Sequence, residues 1–216
     1  MSEPVNRPSQ ARTRLARRAV VDAARMLFLE RGYAATTIEA ISERADVPPA
    51  TVYRLFASKL GILKALLDTA IAGDDQPVAV QERSDVASLL TEPDASRLLA
   101  GIAAVTTAIN ERTNDVYRVL TSAAASDAAA AALLAEIRQQ RDQGQGRIAR
   151  SLARAHALKP GLRERDAADL VHTLMAPEVY GLLVSDRGWT PKRYQQWLAT
   201  TLVEQLTCSV SSSNAG

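Results

Sequence analysis

Apolar and polar residues alternate along this 216-residue chain with a period close to that of an α-helix. The clearest apolar stripe recurs at every third or fourth residue from Leu98 to Ile109, and similar stripes lie near both ends of the chain. Aromatic residues make up only 4% of the sequence, so a core must consist mainly of Ala, Leu, Val and Ile. Such residues suit closely packed helices. The pattern predicts an all-α protein of about nine to ten helices.

Breaks in the periodicity set the expected limits of these helices. Gly32 is expected to end the first helix, and Pro177 to bend a later one. Gly144 and Gly146 interrupt a long helix, which predicts a kink or a close helix contact there. We expect helices at about 15–31, 38–45, 50–56, 59–72, 85–90, from 93 to beyond 109, 114–125, 127–157, 164–185 and 191–207.

Two short helices joined by a tight turn are predicted between Thr36 and Lys59. Thr36 is expected to cap the first of them, with Glu39 three residues later completing a capping box. Asp46 falls where the chain must turn, and Asp tolerates the left-handed backbone that such a turn requires. Pro48-Pro49 opens the second helix, because a proline in the first turn gives up an N–H group that has no partner there.

The second short helix has a buried side and a polar side. Val52 and Phe56, four residues apart, form the buried side. Lys59 adds a cation nearby. A hydroxyl or phenol can reach phosphates or base edges, and a guanidinium can pair with guanine or phosphate. The segment fits a DNA-reading helix, but it also fits an ordinary helical hairpin in a larger bundle. The residues left facing outward are Ala50, Thr51, Tyr53 and Arg54.

The run from Arg18 to Leu67 resembles the N-terminal domain of the TetR family of ligand-responsive transcriptional repressors. It departs from the family pattern at Asp46, where Gly is usual, at Pro48-Pro49, and at Leu60, where an acidic residue is frequent. The matching pieces are Glu30-Arg31-Gly32-Tyr33, Thr36-Thr37, the helix from Ile38 to Ala45, and Thr51-Val52-Tyr53-Arg54-Leu55-Phe56 followed by Ser58-Lys59.

This resemblance implies a DNA-binding site in the two short helices. Phosphate contacts are expected from Thr37, Tyr53 and Lys59. Base contacts are expected from Thr51 and Arg54, together with the small surface that Pro49 and Ala50 provide. The complete set of candidate DNA-binding residues is Thr36, Thr37, Pro49, Ala50, Thr51, Tyr53, Arg54 and Lys59.

The resemblance also implies partners for the rest of the chain. The last two long helices, at about 164–185 and 191–207, are expected to form a homodimer whose two reading helices bind a palindromic double-stranded operator. A small, mainly apolar effector is expected to release that DNA. Tyr117, Leu120 and Met175 are candidates for lining the effector pocket, although they fit a plain core equally well. The alternatives are a helical interaction protein and a ligand-independent regulator that responds to a protein partner.

The distribution of charge supports this division of the chain. The first sixty residues hold ten Lys and Arg against six Asp and Glu, whereas the remaining residues hold sixteen against eighteen. We therefore expect a helix-turn-helix domain at 15–60, a helical ligand-binding and dimerisation domain at 61–208, and a flexible tail at 209–216. Residues 1–14 are expected to form a flexible basic arm, which either follows DNA phosphates or remains solvated. The arginines expected near phosphates are Arg7, Arg12 and Arg14 within the arm, and Arg17 and Arg18 just after it.

The residues of catalysis and metal binding are sparse. His156 and His172 are the only histidines, Cys208 is the only cysteine, and all three lie far from one another in sequence. We therefore expect no enzyme, no catalytic residues, no metal site and no cofactor. The single cysteine suits a reducing compartment, and no apolar run approaches the roughly 20 residues that span a bilayer. A cytoplasmic protein is the prediction.

Overall fold

A computed structural model describes residues 7–72 and 84–208 of the chain, and these ranges contain helices but no strand. The predicted all-α class is confirmed. A π-helical turn, Gly181–Asp186, lies between the last two of the helices. The helices are α1 Arg7–Ala35, α2 Ile38–Ala45, α3 Pro49–Phe56, α4 Lys59–Ala72, α5 Ser84–Leu89, α6 Ala95–Ala124, α7 Ala128–Arg154, α8 Glu164–Leu174, α9 Pro177–Tyr180 and α10 Pro191–Leu206.

The chain divides into two compact units. Of the described residues, the N-terminal unit contains 7–70 together with 115–135, and the C-terminal unit contains 71–72, 84–114 and 136–208. The compact unit that holds the two short helices thus includes more of the chain than the expected range 15–60. Its apolar core contains Val20, Ala24, Leu27, Phe28, Ile41, Val52, Ile62, Leu63 and Leu67.

The first helix begins earlier than predicted, and it breaks at Gly32 as predicted. Residues 7–14 are helical, which corrects the expected flexible arm over this range. Arg, Gln and Ala favour helix, and Pro8 lies in the first turn, where its missing N–H has no helical partner. Gly32 leaves the helical conformation, with φ of 78° and ψ of 169°, and only a short further turn continues to Ala35. Residues 1–6 lie outside the described residues.

The C-terminal unit is organised around α10. Tyr194, Leu198, Leu202 and Leu206 recur every four residues and are all fully buried. Tyr194 packs edge-on against Tyr180, with ring centroids 4.9 Å apart. This stripe belongs to one apolar cluster that also includes Leu98, Leu99, Ile102, Ile148, Leu152 and Val171.

Three predicted helix limits in this region were wrong. The helices expected from 93 and at 114–125 form one continuous helix, α6, because the residues between them keep helical backbone and Asn110, Thr113 and Asn114 are buried. The helix expected at 164–185 ends at Leu174, since Ala176 is extended ahead of Pro177, as a residue before proline favours. The long helix ends at Arg154 rather than Ala157 but runs through both Gly144 and Gly146.

One expectation cannot be compared with the structure. The tail expected at 209–216 lies outside the described residues. Cys208 follows α10 and is exposed. In the described ranges, none of the helices has the length and apolar character needed to cross a membrane.

Candidate nucleic-acid interface

Helices α2 and α3 are joined by a turn that the backbone closes on itself. Asp46 has the predicted left-handed conformation, with φ of 52° and ψ of 42°. Its N–H donates to the carbonyl of Glu43, and the N–H of Val47 donates to the carbonyl of Ser42 at 3.1 Å. The Ser42 hydroxyl donates back to the carbonyl of Val47. These bonds satisfy the last carbonyls of α2 and set the direction in which α3 begins.

The cap of α2 is Thr37, which corrects the prediction of Thr36. The Thr37 hydroxyl oxygen accepts from the N–H of Ala40 at 3.1 Å, so Glu39 completes no capping box with Thr36. Thr36 is only 1% exposed. Its hydroxyl donates to the carbonyls of Leu27 and Gly32. Thr36 is therefore a structural residue that fixes α2 against α1, whereas Thr37 is exposed and retains a hydroxyl proton to donate.

Helix α3 has the two faces that the sequence predicts. Pro48 precedes it and Pro49 occupies its first position. Val52 and Phe56 are buried, at 0% and 7% exposure, while Tyr53 is 47% exposed. Pro49, Ala50 and Arg54 are exposed and Thr51 is half-buried. The outward orientation is thus observed, and contact of these residues with DNA stays a prediction.

The end of α3 is held by a close approach to α4. Ala57 has a φ of 62°, and its N–H donates to the carbonyl of Tyr53 at 2.8 Å. The Ser58 hydroxyl accepts from the N–H of Gly61 at 3.0 Å. A Cβ at Gly61 would lie 2.0 Å from the carbonyl oxygen of Phe56. Glycine is therefore required at position 61 for α4 to begin this close to the end of α3.

Two cations near α3 make contacts within the chain that the sequence did not predict. Arg17, expected in a phosphate-binding arm, donates to the carbonyl of Leu55 at 3.2 Å and lies 4.6 Å above the ring of Phe56. It connects α1 to the end of α3. The arginine and the aromatic residue are 39 positions apart, and nothing in their local pattern signals the pairing.

Lys59 makes a similar internal connection. Its ammonium donates to the carbonyls of Tyr33 and Thr36, at 2.7 and 2.8 Å, and lies 4.3 Å from the centroid of the Tyr33 ring. Partial burial lowers the pKa of Lys59, and the Asp127 carboxylate opposes that shift. Two of its three N–H groups are thus used inside the chain, and one remains for a phosphate.

Residues 20–66 match the family model of the bacterial regulatory proteins of the tetR family. This segment is a TetR-family helix-turn-helix domain. It covers α2, α3 and the turn described above, together with most of α1 and the first part of α4. The family consists of bacterial regulatory proteins, which agrees with the predicted DNA-binding regulator and not with an enzyme.

A curated relative is similar to this chain over a short stretch. The uncharacterised HTH-type transcriptional regulator YvkB of Bacillus subtilis (strain 168) is 46% identical over 48 residues, which are 22% of this chain. The match spans only 25% of the relative's own length, so the likeness is confined to a short segment of each protein.

Solved structures resemble nearly the whole chain in fold. NalD, titled the secondary repressor of the MexAB-OprM multidrug efflux pump of Pseudomonas aeruginosa, has a TM-score of 0.68 and 21% identity, covering 91% of this chain and 99% of NalD. A complex of SmeT with triclosan has a TM-score of 0.66 and 19% identity, covering 90% of this chain and 93% of SmeT. SmeT is titled the repressor of the Stenotrophomonas maltophilia multidrug efflux pump SmeDEF. At these identities the likeness establishes the fold.

The candidate effector residues of this TetR-like chain do not gather in one compact unit. Tyr117 and Leu120 belong to the N-terminal unit, and Met175 belongs to the C-terminal unit. All three are buried. Their role in lining a pocket stays a prediction. In the described ranges, no group of three or more His, Cys, Asp and Glu side chains has an arrangement that holds a metal ion.

Proposed function

We propose that this protein is a homodimeric transcriptional repressor that binds a palindromic operator through α3 and leaves it when a small, mainly apolar ligand binds. The observation that carries the proposal is the outer side of α3, where Tyr53 and Arg54 are exposed on a helix held at both ends. Such a helix presents hydrogen-bonding side chains in a fixed orientation, which is what recognition of base edges in a major groove requires.

The role that we propose for each residue in DNA binding follows from the chemistry of its side chain. Arg54 is suited to guanine or phosphate, and the phenol of Tyr53 and the hydroxyl of Thr37 are suited to phosphate oxygens. Pro49 and Ala50 are small enough to let the start of α3 approach the groove. In a two-fold dimer, the two copies of α3 would enter successive major grooves about 34–36 Å apart.

Selection of bound sequences from random DNA tests the operator. We expect the recovered sites to contain an inverted repeat with half-sites about one helical turn apart. The Tyr53→Ala/Arg54→Ala variant should bind the recovered site at least about tenfold more weakly, because each lost base or phosphate contact contributes on the order of 1–3 kcal/mol. The matched control is Arg97→Ala/Gln143→Ala, whose residues are exposed in the C-terminal unit and lie outside the segment from α8 to α10. Recovery of no common site, or equal loss in both variants, would refute the operator proposal.

The proposed dimer uses the chain from α8 to α10. Leu182 in this segment is 58% exposed, and Leu170, Leu174, Trp197 and Val203 are only partly buried. Covering such side chains with a second copy would remove apolar surface from water. Light scattering should find a dimer that Leu182→Glu weakens. Leu15→Glu changes a leucine that is 66% exposed outside this segment, and it should leave the dimer intact. A monomeric wild-type protein would overturn the proposal.

The proposed effector response can be tested with a known ligand of a structural relative. Triclosan is the probe, because SmeT has been solved in complex with it. We expect triclosan or a similarly apolar compound to release the selected DNA in a fluorescence anisotropy titration, because a ligand that prefers the DNA-free conformation shifts the protein toward it. Failure of a panel of apolar compounds to change DNA affinity would favour a ligand-independent regulator.

A further inference from the structure

A cleft of about 560 Å³ opens in the C-terminal unit beside the last part of α7. One wall is a row on α7 made of Arg147, Arg150, Ser151 and Arg154, with Ala155 just beyond. The opposite wall is the segment from Leu90 to Pro93, which connects α5 to α6. The volume lies within the range of small-molecule sites.

The shape of the cleft is held by contacts within the same unit. The Ser151 hydroxyl donates to the carbonyl of Leu90 at 2.7 Å, so the connecting segment is attached to α7. Leu89 packs against α6 at Gly101, where a Cβ would lie 2.3 Å from a Leu89 methyl group. The Glu92 carboxylate accepts from the N–H of Asp94 at 3.1 Å. The two walls are therefore fixed relative to each other.

The charge on the α7 wall is unusual. Arg147, Arg150 and Arg154 stand at helical spacings of three and four, so their guanidinium groups lie on one face and repel one another. Arg150 is 3.6 Å from the Glu164 carboxylate. Within the described residues, the side chains of Arg147 and Arg154 make no hydrogen bond or ion pair with the rest of the chain. The lining contains one carboxylate, that of Glu92, against three guanidinium groups.

The helix C-terminus explains only part of this arrangement. A cation in the last turn is favourable beside the partial negative charge of the final carbonyls. Arg154 is the basic residue of the last turn of α7, whereas Arg147 lies two turns earlier. The row therefore concentrates positive charge beyond what helix capping accounts for.

We propose that this cleft binds an amphipathic organic anion, whose phosphate or carboxylate head is held by Arg147 and Arg154 while its apolar part lies on Leu90, Pro93 and Ala155. Guanidinium groups match both head groups with paired N–H donors. The anion offsets the repulsion within the row, and the apolar part gains from leaving water. The residues that line this cleft belong to the C-terminal unit and include none from α3, so anion binding can be measured separately from operator binding.

Isothermal titration with octyl phosphate, kept below the concentration at which it forms micelles, tests the proposal. We expect the wild-type protein to bind, and Arg147→Gln/Arg154→Gln to bind at least about tenfold more weakly while keeping its far-ultraviolet circular dichroism. The matched control is Arg187→Gln, an exposed arginine of the same unit outside the cleft, which should bind as the wild type does. The Tyr53→Ala/Arg54→Ala variant should also bind normally, which separates this result from any failure of the operator proposal.

Three further probes identify the chemistry that is recognised. Octanoate should bind, because it combines a carboxylate head with the same kind of chain. Inorganic phosphate and octyl glucoside should each bind far more weakly than octyl phosphate, because one lacks the chain and the other lacks the charge. Absence of octyl phosphate binding, unchanged affinity in the double arginine variant, or equal affinity for octyl glucoside would each overturn the proposal.

Discussion

Helices α3 and α10 are stabilised in different ways. Helix α3 has eight residues, of which only Val52 and Phe56 are buried. Helix α10 has sixteen residues and buries a stripe of four. The conformation of α3 therefore depends on the turns at its two ends, which leaves its outer side chains available for binding. The conformation of α10 depends on the apolar area that it covers.

This difference explains how the two regions relate to known proteins. The α2–α3 region matches a family model over 47 consecutive residues, 20–66. The C-terminal unit is part of a fold similarity that extends over 90–91% of the chain, at 19–21% sequence identity. Many combinations of apolar residues satisfy a packed core. Few combinations satisfy both a tight turn and an exposed chemical surface. We therefore expect substitutions in α10 to reduce the free energy of unfolding strongly. Substitutions on the outer side of α3 should weaken DNA binding more than they reduce stability.

The largest expected loss of stability is in α10. Leu198→Ala removes a fully buried side chain and should reduce the free energy of unfolding by about 2–5 kcal/mol, through lost transfer energy and a residual cavity. Urea unfolding followed by circular dichroism measures the change. Leu15→Ala is the matched control because Leu15 is 66% exposed and lies outside the proposed dimer segment, and equal losses in the two variants would contradict the account of α10.

Alkaline pH should reduce the stability that the buried stripe of α10 provides. Burial raises the pKa of Tyr194 from 10.0 to about 12, while a side-chain interaction with Asn110 lowers it and Tyr180 raises it slightly. Since the folded pKa exceeds the unfolded value, this contribution is fully present below pH 10 and is lost as pH rises toward 12. The loss amounts to about 2–3 kcal/mol.

Unfolding measurements at about pH 9 and about pH 12 can isolate this effect from the titration of other groups. Tyr194→Phe has no phenol to ionise and should lose less stability over this interval than the wild type. An identical pH response in both proteins would show that Tyr194 does not contribute to the loss.

A smaller loss is expected where α3 meets α4. Gly61→Ala places a methyl group against the backbone of Phe56, which must move, and should cost about 1–3 kcal/mol. Gly146→Ala is the control, since a Cβ there meets nothing within 4 Å inside a helix. It should raise stability by about 0.5–1 kcal/mol. The opposite ranking of the two variants in thermal denaturation would refute the close-approach argument.

The smallest energetic effect is expected on the outer side of α3. Tyr53→Ala should change the free energy of unfolding by no more than about 0.5 kcal/mol, because the side chain is 47% exposed, while weakening operator binding. The neighbouring Val52→Ala should reduce stability because Val52 is buried. If Tyr53→Ala unfolds the protein, the assignment of this side to binding fails.

Local sequence signals predicted the limits of α2 and α3 well. They did not predict the contacts that hold these two helices in place. The limits of α2 follow from a threonine before it and Asp46 after it, and Pro48 marks the start of α3. The choice between Thr36 and Thr37 depends on the burial of Thr36 against α1, which periodicity does not contain. Lys59 was expected at phosphate, but most of its hydrogen-bonding capacity is used by carbonyls more than twenty residues away.

In α6 the same limitation produced a false break. The segment around Asn110 and Asn114 is polar in sequence, so it resembles a loop. The structure buries these residues inside a continuous helix, where Thr113 donates to the carbonyl of Ile109 and Asn114 donates to Ser185. The Thr113 bond is local to the helix, whereas the Ser185 partner of Asn114 comes from tertiary packing. The pocket-lining roles of Tyr117, Leu120 and Met175 depend on packing in the same way, and burial alone does not separate them from the core.

The exposed thiol of Cys208, just beyond α10, makes the chain a single-label protein without mutagenesis. A nitroxide attached there would place one spin on each copy, close to the segment proposed for self-association. Pulsed electron resonance between the two spins would then give a distance distribution for the pair. Recording it with and without operator and ligand would follow the regulatory cycle on an otherwise wild-type sequence.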